Sequence, residues 1–281
     1  MATESVESQR RRRGPGRNLP AAIGVGLALG ALVVGTLFTV RFGFVVLLLV
    51  VICGAVAELV RAVGKAGAHP PLLPLLAGAL AMDLLAWFRG DGALAVAFLL
   101  TALACAVWRL ADGPVGYLRD VFIAVFVALY VPLLAGFAVL LAAPDDGPRR
   151  VITFIATVVC SDVGGYAAGV VLGRHPMAPT VSPAKSWEGF AGSTVACVVG
   201  GMALVTLLLH GAWWQGALFG LAIVVTATLG DLGESMIKRD LGIKDMGTLL
   251  PGHGGLMDRL DSLLPAAAVS WLLLSAFLPT G

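Results

Sequence analysis

Residues 230–262 read GDLGESMIKRDLGIKDMGTLLPGHGGLMDRLDS, and the rest of the chain takes its meaning from them. They hold six of the seventeen acids, Asp231, Glu234, Asp240, Asp245, Asp258 and Asp261, together with Lys238, Arg239, Lys244, Arg259 and His253. The whole chain is 58% hydrophobic and only 13% charged, where about a quarter charged is usual for soluble domains. Charge gathered in one stretch of so apolar a chain implies a membrane frame that holds this stretch at its surface.

A helix rising 1.5 Å per residue needs about 20 apolar residues to cross roughly 30 Å of hydrocarbon. That length predicts spans at 20–40, 43–60, 71–88, 92–108, 121–143, 151–173, 190–209, 213–233 and 263–279. No period-2 alternation of barrel strands is visible. The expected fold class is therefore an all-α integral membrane protein, a polytopic helical bundle of about nine transmembrane helices. The run 20–40 exceeds a signal-peptide core of about 7–15 residues. Residues 1–19, with Arg10, Arg11, Arg12, Arg13 and Arg17, are accordingly expected as a basic, disordered cytoplasmic arm. With the arm inside, nine spans leave fifteen Lys and Arg on the cytoplasmic side and four on the other, as the positive-inside rule requires. The N-terminus is then cytoplasmic, and so is 230–262. PDDGPRR at 144–150 separates N-terminal transmembrane helices, 20–143, from a C-terminal catalytic transmembrane region, 151–281. Cys53, Cys105, Cys160 and Cys197 lie singly in apolar runs with no CxxC pair, which suits small buried hydrophobes.

Asp162 falls well inside the sixth apolar segment. A carboxylate there costs about 2.5–3.5 kcal/mol on insertion scales, so it signals a partner, a cavity or an ion. Gly164 and Gly165 beside it permit close approach. The loop GRHPMAPTVSPAKSWEG, 173–189, offers Thr180, Ser182, Ser186 and Lys185 on a stiff, proline-rich hairpin, a donor set suited to phosphate. In the main stretch, Asp231 and Glu234 share one helix face at i, i+3, Lys238 continues it, and Asp258 and Asp261 repeat the spacing at the next span. Packed together, those faces make a hard-oxygen site of the kind that takes Mg²⁺ and leaves positions for substrate phosphates. Two such ions could clamp an in-line nucleotidyl displacement. The PGHGG turn supplies backbone N–H groups and His253 adds a donor. No nucleophile elbow, HExxH or Cys/His zinc spacing occurs.

At these residues the chain resembles the phosphatidate cytidylyltransferase, or CDP-diacylglycerol synthase, family. Ser235, Lys238, Arg239, Lys244, Asp245, Pro251 to Gly255, Asp258, Arg259 and Asp261 match its C-terminal signature in register. Ser161-Asp162, Gly165-Tyr166, Ser182-Pro183 and Trp187-Glu188-Gly189 also fit it, so the resemblance covers roughly 155–262. One departure is Ala184, where the family carries a first of two adjacent lysines. The resemblance implies that CTP and phosphatidate give CDP-diacylglycerol and pyrophosphate with Mg²⁺, two ions being expected, at the cytoplasmic face of the plasma (inner) membrane. It implies metal at Asp231, Asp258 and Asp261, and catalytic contacts from Lys238, Arg239, Lys244, Asp245, His253 and Arg259. Substrate contacts fall to Asp162, Ser182, Lys185, Ser235, Gly252, Gly254 and Gly255. The lipid bilayer is a partner, nucleic acid is not, and small-residue helix faces permit a homodimer. The rivals are a secondary transporter, for which Asp83 and Glu58 are weak midplane candidates although Glu58 lies near a span end and the two halves share no motif, and a lipid kinase that also brings a nucleotide to a membrane lipid.

Overall fold

The computed structural model of the chain describes residues 19–247 and 254–279, and for residues 19–27 and 29 the backbone alone. The protein is an all-α polytopic membrane protein. Helices α1 (Leu19–Thr39), α2 (Arg41–Lys65), α3 (Leu72–Arg89) and α4 (Asp91–Arg109) follow one another through short turns. α5 (Tyr117–Ala128) passes through a π-helical turn, Leu129–Leu133, into α6 (Leu134–Ala142). α7 (Gly147–Leu172) and α8 (Trp187–Leu209) are joined by two short antiparallel strands, β1 (Pro176–Ala178) and β2 (Ser182–Ser186). The long α9 (Trp213–Asp240) precedes the single turn α10 (Met257–Leu260) and α11 (Leu263–Phe277). Among the described residues, eight helical segments are long and apolar enough to cross a membrane, counting α5 with α6 and α10 with α11 as one each. α1 coincides with the first expected segment; its fully described portion, Gly30–Thr39, is shorter than a span.

Two features differ from the expectation, while the polar loop after Arg174 is the expected hairpin, built as a two-stranded β-ribbon on an otherwise helical frame. Its Ser186 caps α8 by accepting the Gly189 N–H at 3.1 Å, the usual use of a serine before a helix. α9 continues seven residues past the predicted end at 233, to Asp240. Its polar last turns, bearing Glu234, Lys238 and Arg239, stay helical because they pack on the protein rather than ending at the lipid edge. The span over 121–143 is interrupted at Pro132. Proline lacks the N–H and its ring crowds the carbonyl one turn back, so the ladder widens into a π turn there.

Glycine sets the spacing of α7, α8 and α9. A Cβ on Gly192 would come 2.7 Å from the Gly164 carbonyl oxygen, one on Gly201 would come 2.5 Å from that of Gly216, and one on Gly220 would strike that of Cys197. The small-residue faces are thus used inside one chain, backbone against backbone. Gly220→Val should force α8 from α9 and lower stability by about 1–3 kcal/mol or more. Thermal unfolding in detergent would reveal it, and an unchanged midpoint would mean that the seam is not the close contact described.

The two halves share one interior. Leu37 and Phe44 pack with Phe219, Ile223 and Leu274, and the rings of Phe137 and Trp271 lie 5.3 Å apart. Residues 144–150 form a tethered turn: Arg41 donates to the Pro144 carbonyl at 2.7 Å. Buried Arg150 donates to the carbonyls of Leu274, at 3.1 Å, and Leu278, at 2.6 Å, satisfying the end of α11 that lipid could not. All four cysteines are free.

Candidate active site

The site forms where α9 leaves the bundle. Gly230 makes it possible: a Cβ there would strike the Asp261 carbonyl oxygen and come 2.9 Å from Pro265 Cγ. With that side chain absent, α9 reaches the α10–α11 junction, and Asp231 and Glu234 come within electrostatic range of Asp261. The two carboxylate faces expected from the i, i+3 spacings do meet. Glu234 is fully buried, and Lys238, one turn further, reaches 2.9 Å to both Glu234 Oε2 and Asp258 Oδ1. A lysine bridging two largely buried carboxylates compensates both, without which either would be costly.

The β-hairpin is the second wall. Lys185 Nζ lies 2.6 Å from Asp231 Oδ2, and Arg239 Nε donates to the Val181 carbonyl at 3.3 Å. Two cation contacts thus tie the hairpin to α9 at its loop and along β2. Between α7, the hairpin, α8 and α9 lies a cavity of about 360 Å³, lined among others by Asp162, Ser182, Lys185, Ser193 and Asp231. Asp162, intramembrane by sequence, therefore faces a cavity lined by both polar and apolar residues. It lies within electrostatic reach of the cations Lys185 and Arg259 and of the acids Asp231 and Asp261. His175 and Glu188, 2.5 Å apart, close the hairpin base outside the cavity.

The remaining signature residues divide. Ser235 Oγ donates to Asp231 Oδ1 at 3.4 Å, so it steadies that carboxylate. Lys244 and Asp245 are exposed on the connection after α9, and Asp245 Oδ1 would lie 3.7 Å from a Cβ on Gly254. Gly254 has φ of 83°, a left-handed conformation that glycine adopts without strain. The Gly255 N–H, expected to face phosphate, instead donates to Asp258 Oδ2 at 2.9 Å. The same oxygen accepts the Met246 N–H at 3.0 Å. Asp258 is thus turned toward Lys238 and the loop backbone, whereas Asp261 is turned toward Asp231 and Glu234. Gly252 and His253, with the rest of 248–253, lie outside the described residues, as does the arginine arm up to residue 18.

Asp231 and Asp261, with buried Glu234 Oε1 receiving no hydrogen bond from a described residue, form a set of hard oxygen donors. Among the described residues no three acidic, histidine or cysteine side chains converge tightly enough to hold an ion by themselves. The set suits Mg²⁺ all the same, since that ion takes one or two carboxylates and fills its other positions with water and substrate phosphate.

Two residues escaped sequence reasoning. Glu58, on α2, is 2% exposed and accepts the Met257 N–H at 3.1 Å, so it belongs to this site and not to a midplane pathway. Tyr130, on the π turn and stacked on Phe126, directs a buried hydroxyl toward the charges of Glu234, Asp261 and Asp231. Pro132 in the sequence was the available hint for Tyr130; Glu58 had none. Asp83, the other midplane candidate, stays fully buried on α3 and outside the site.

The profile of the cytidylyltransferase family matches residues 20–277. A phosphatidate cytidylyltransferase of Mycobacterium leprae is 49% identical, the match covering 92% of this chain and 88% of that protein. One of Mycobacterium bovis is 46% identical over 92% and 89% of the two chains. A phosphatidate cytidylyltransferase of Brucella suis is 37% identical over 56% of each.

Proposed function

The chain belongs to the cytidylyltransferase family, and on that footing we propose that it is a phosphatidate cytidylyltransferase, joining CTP and phosphatidate into CDP-diacylglycerol with release of pyrophosphate. The observation that carries this reading is the Lys185–Asp231 contact. It closes one cavity between the membrane-spanning α7, bearing Asp162, the hairpin, bearing Ser182, and the charged end of α9. Such a cavity offers a lipid phosphate entry from the bilayer while leaving a nucleotide its approach from the aqueous side.

The phosphate monoester of phosphatidate is largely ionised near neutral pH, so its oxygen needs no strong base to attack the α-phosphorus of CTP. The α–β phosphoanhydride bond breaks and its electrons leave with pyrophosphate. The protein must gather polyanions and stabilise charge at the transferred phosphorus and the leaving group. Lys185 and Ser182 hold the lipid phosphate, and the incoming phosphate displaces Asp231 from Lys185 Nζ. Arg239 and Arg259 supply fixed positive charge for the nucleotide phosphates, with Lys244, Asp245 and His253 on the connecting segment. Lys238 is spent on Glu234 and Asp258 and acts by holding their geometry. Asp231 and Asp261 hold Mg²⁺, which when bound neutralises charge on the transferred and leaving phosphates; Asp258 organises the turn beside them.

The Lys and Arg asymmetry supports a cytoplasmic N-terminus and a site on the cytoplasmic face of the plasma membrane, where CTP is available. Purified protein given phosphatidate and CTP labelled in the cytosine ring should transfer label to lipid, and γ-labelled CTP should not. Label from the γ-phosphate alone would establish a lipid kinase instead, and no lipid label from either would remove the transferase reading.

A further inference from the structure

Two stretches of the signature, separated by 248–253, meet on one acid from the other half of the chain. Glu58 is 2% exposed, on an otherwise apolar turn of α2. Its Oε2 accepts the Met257 N–H at 3.1 Å. A Cβ on Gly255 would come 2.5 Å from that oxygen, and one on Gly247 would strike Oε1. Both glycines therefore leave the space that the carboxyl fills. Met246 and Gly255 are bound in turn to Asp258 Oδ2, at 3.0 and 2.9 Å, and Asp258 Oδ1 meets Lys238 at 2.9 Å. Glu58 is thus the floor on which Met246–Gly247 and Gly254–Met257 close against each other, one residue away from the carboxylate that fixes Lys238.

A carboxyl group buried near the end of a span is costly unless it is used. An apolar residue would fill α2 at less expense, and nothing else in the first half of the chain accepts a hydrogen bond from the signature among the bonds described. We propose that Glu58 is a positioning residue for nucleotide capture: it sets the separation of the two ends of the signature turn, and through Met257 the aim of Asp258 at Lys238. This rests on the reading that the signature takes the triphosphate of CTP. The role requires an acceptor of the right reach and does not require charge. Gln keeps both length and an acceptor oxygen. Asp keeps the carboxyl group but withdraws it by about 1.5 Å, one carbon–carbon bond, which carries a 3.1 Å contact past hydrogen-bonding range.

The test is a kinetic comparison of Glu58→Gln and Glu58→Asp in the full-length protein, with CTP and phosphatidate varied separately. Both keep a polar group at the site, and folded protein is quantified by thermal unfolding in detergent. Glu58→Gln should hold the KM for CTP within about threefold of wild type, whereas Glu58→Asp should raise it about tenfold, the upper end of the worth of one hydrogen bond. The KM for phosphatidate should move less than about twofold in either, because that substrate is held by the hairpin wall. A purely structural Glu58 would lower the folded fraction and leave KM alone. The reverse order of the two variants, equal shifts for both substrates, or unchanged CTP KM in Glu58→Asp would each overturn the proposal. A wild-type protein that makes no CDP-lipid would instead remove the functional reading on which the proposal stands.

Discussion

Lys238→Met is expected to destabilise the folded protein by about 3–5 kcal/mol, the range for leaving a buried ion pair with one partner missing. Lys238 lies 2.9 Å from both Glu234 and Asp258, and Glu234 has no exposed surface over which water could compensate it. Methionine preserves the stem's packing, so the loss isolates the ammonium group. Such a change is a large share of a typical folding free energy of about 5–15 kcal/mol, and the thermal midpoint in detergent should fall accordingly. Arginine should not restore it, because a planar fork cannot take the place of a compact ammonium between two carboxylates. Adding Glu234→Gln to Lys238→Met should recover about half of the loss, because residues in contact couple. A midpoint unchanged by Lys238→Met would show that neither carboxylate depends on this lysine. No turnover is expected from either variant, since Asp258 would lose the partner that turns it.

Much of this arrangement could be read from residue order, because the forces that produce it act over one or two helical turns. Apolar length gave the spans, and i, i+3 spacing placed Asp231, Glu234 and Lys238 on one face of α9. The structure differs where a residue had two physically equivalent uses. Asp258 and Asp261 have the same spacing to their neighbours, yet one accepts loop N–H groups and the other faces the acids of α9. A carboxylate beside a glycine turn suits a metal and a backbone cap equally, and only the path of the loop decides. Gly255 is the counterpart: its N–H suits a phosphate or a neighbouring aspartate, and the aspartate is adjacent. Glu58 was illegible for a different reason. Its partner is Met257, 199 residues away, and a lone acid near a span end carries no local pattern. The hairpin was legible in its chemistry, as hydroxyls and a lysine on a stiff polar turn. Its docking on α9 through Lys185 and Arg239 was not, because a long-range ion pair has no sequence period.

Asp261→Asn should lower activity without lowering stability, and that separation is what distinguishes a working carboxylate from a structural one. Asparagine has the size of aspartate, and its amide oxygen can still accept the Ser262 N–H that Asp261 Oδ1 takes at 2.6 Å. What is lost is one negative charge facing Asp231, while the amide can keep the hydrogen bond that the carboxyl shares with Glu234. Crowded like charges are unfavourable in the folded state, so the variant should unfold at an equal or higher temperature than wild type. Activity should nevertheless fall by about 10²–10³-fold or more, the scale of removing one preorganised electrostatic contact at a transition state. If Asp231 and Asp261 hold Mg²⁺, added Mg²⁺ should raise the wild-type thermal midpoint by binding the folded state, and the rise should shrink or vanish in Asp261→Asn. A chelator should abolish wild-type turnover, with recovery on adding Mg²⁺ back. Retained turnover in Asp261→Asn would remove this residue from the metal site, and a lowered midpoint would make Asp261 a structural acid. Charge kept at a cost to folding is what a site needs when its substrates bring the counter-ion with them. The excess of carboxylates over described cations around Asp261 is then the resting form of a site completed only when Mg²⁺ and the nucleotide phosphates arrive.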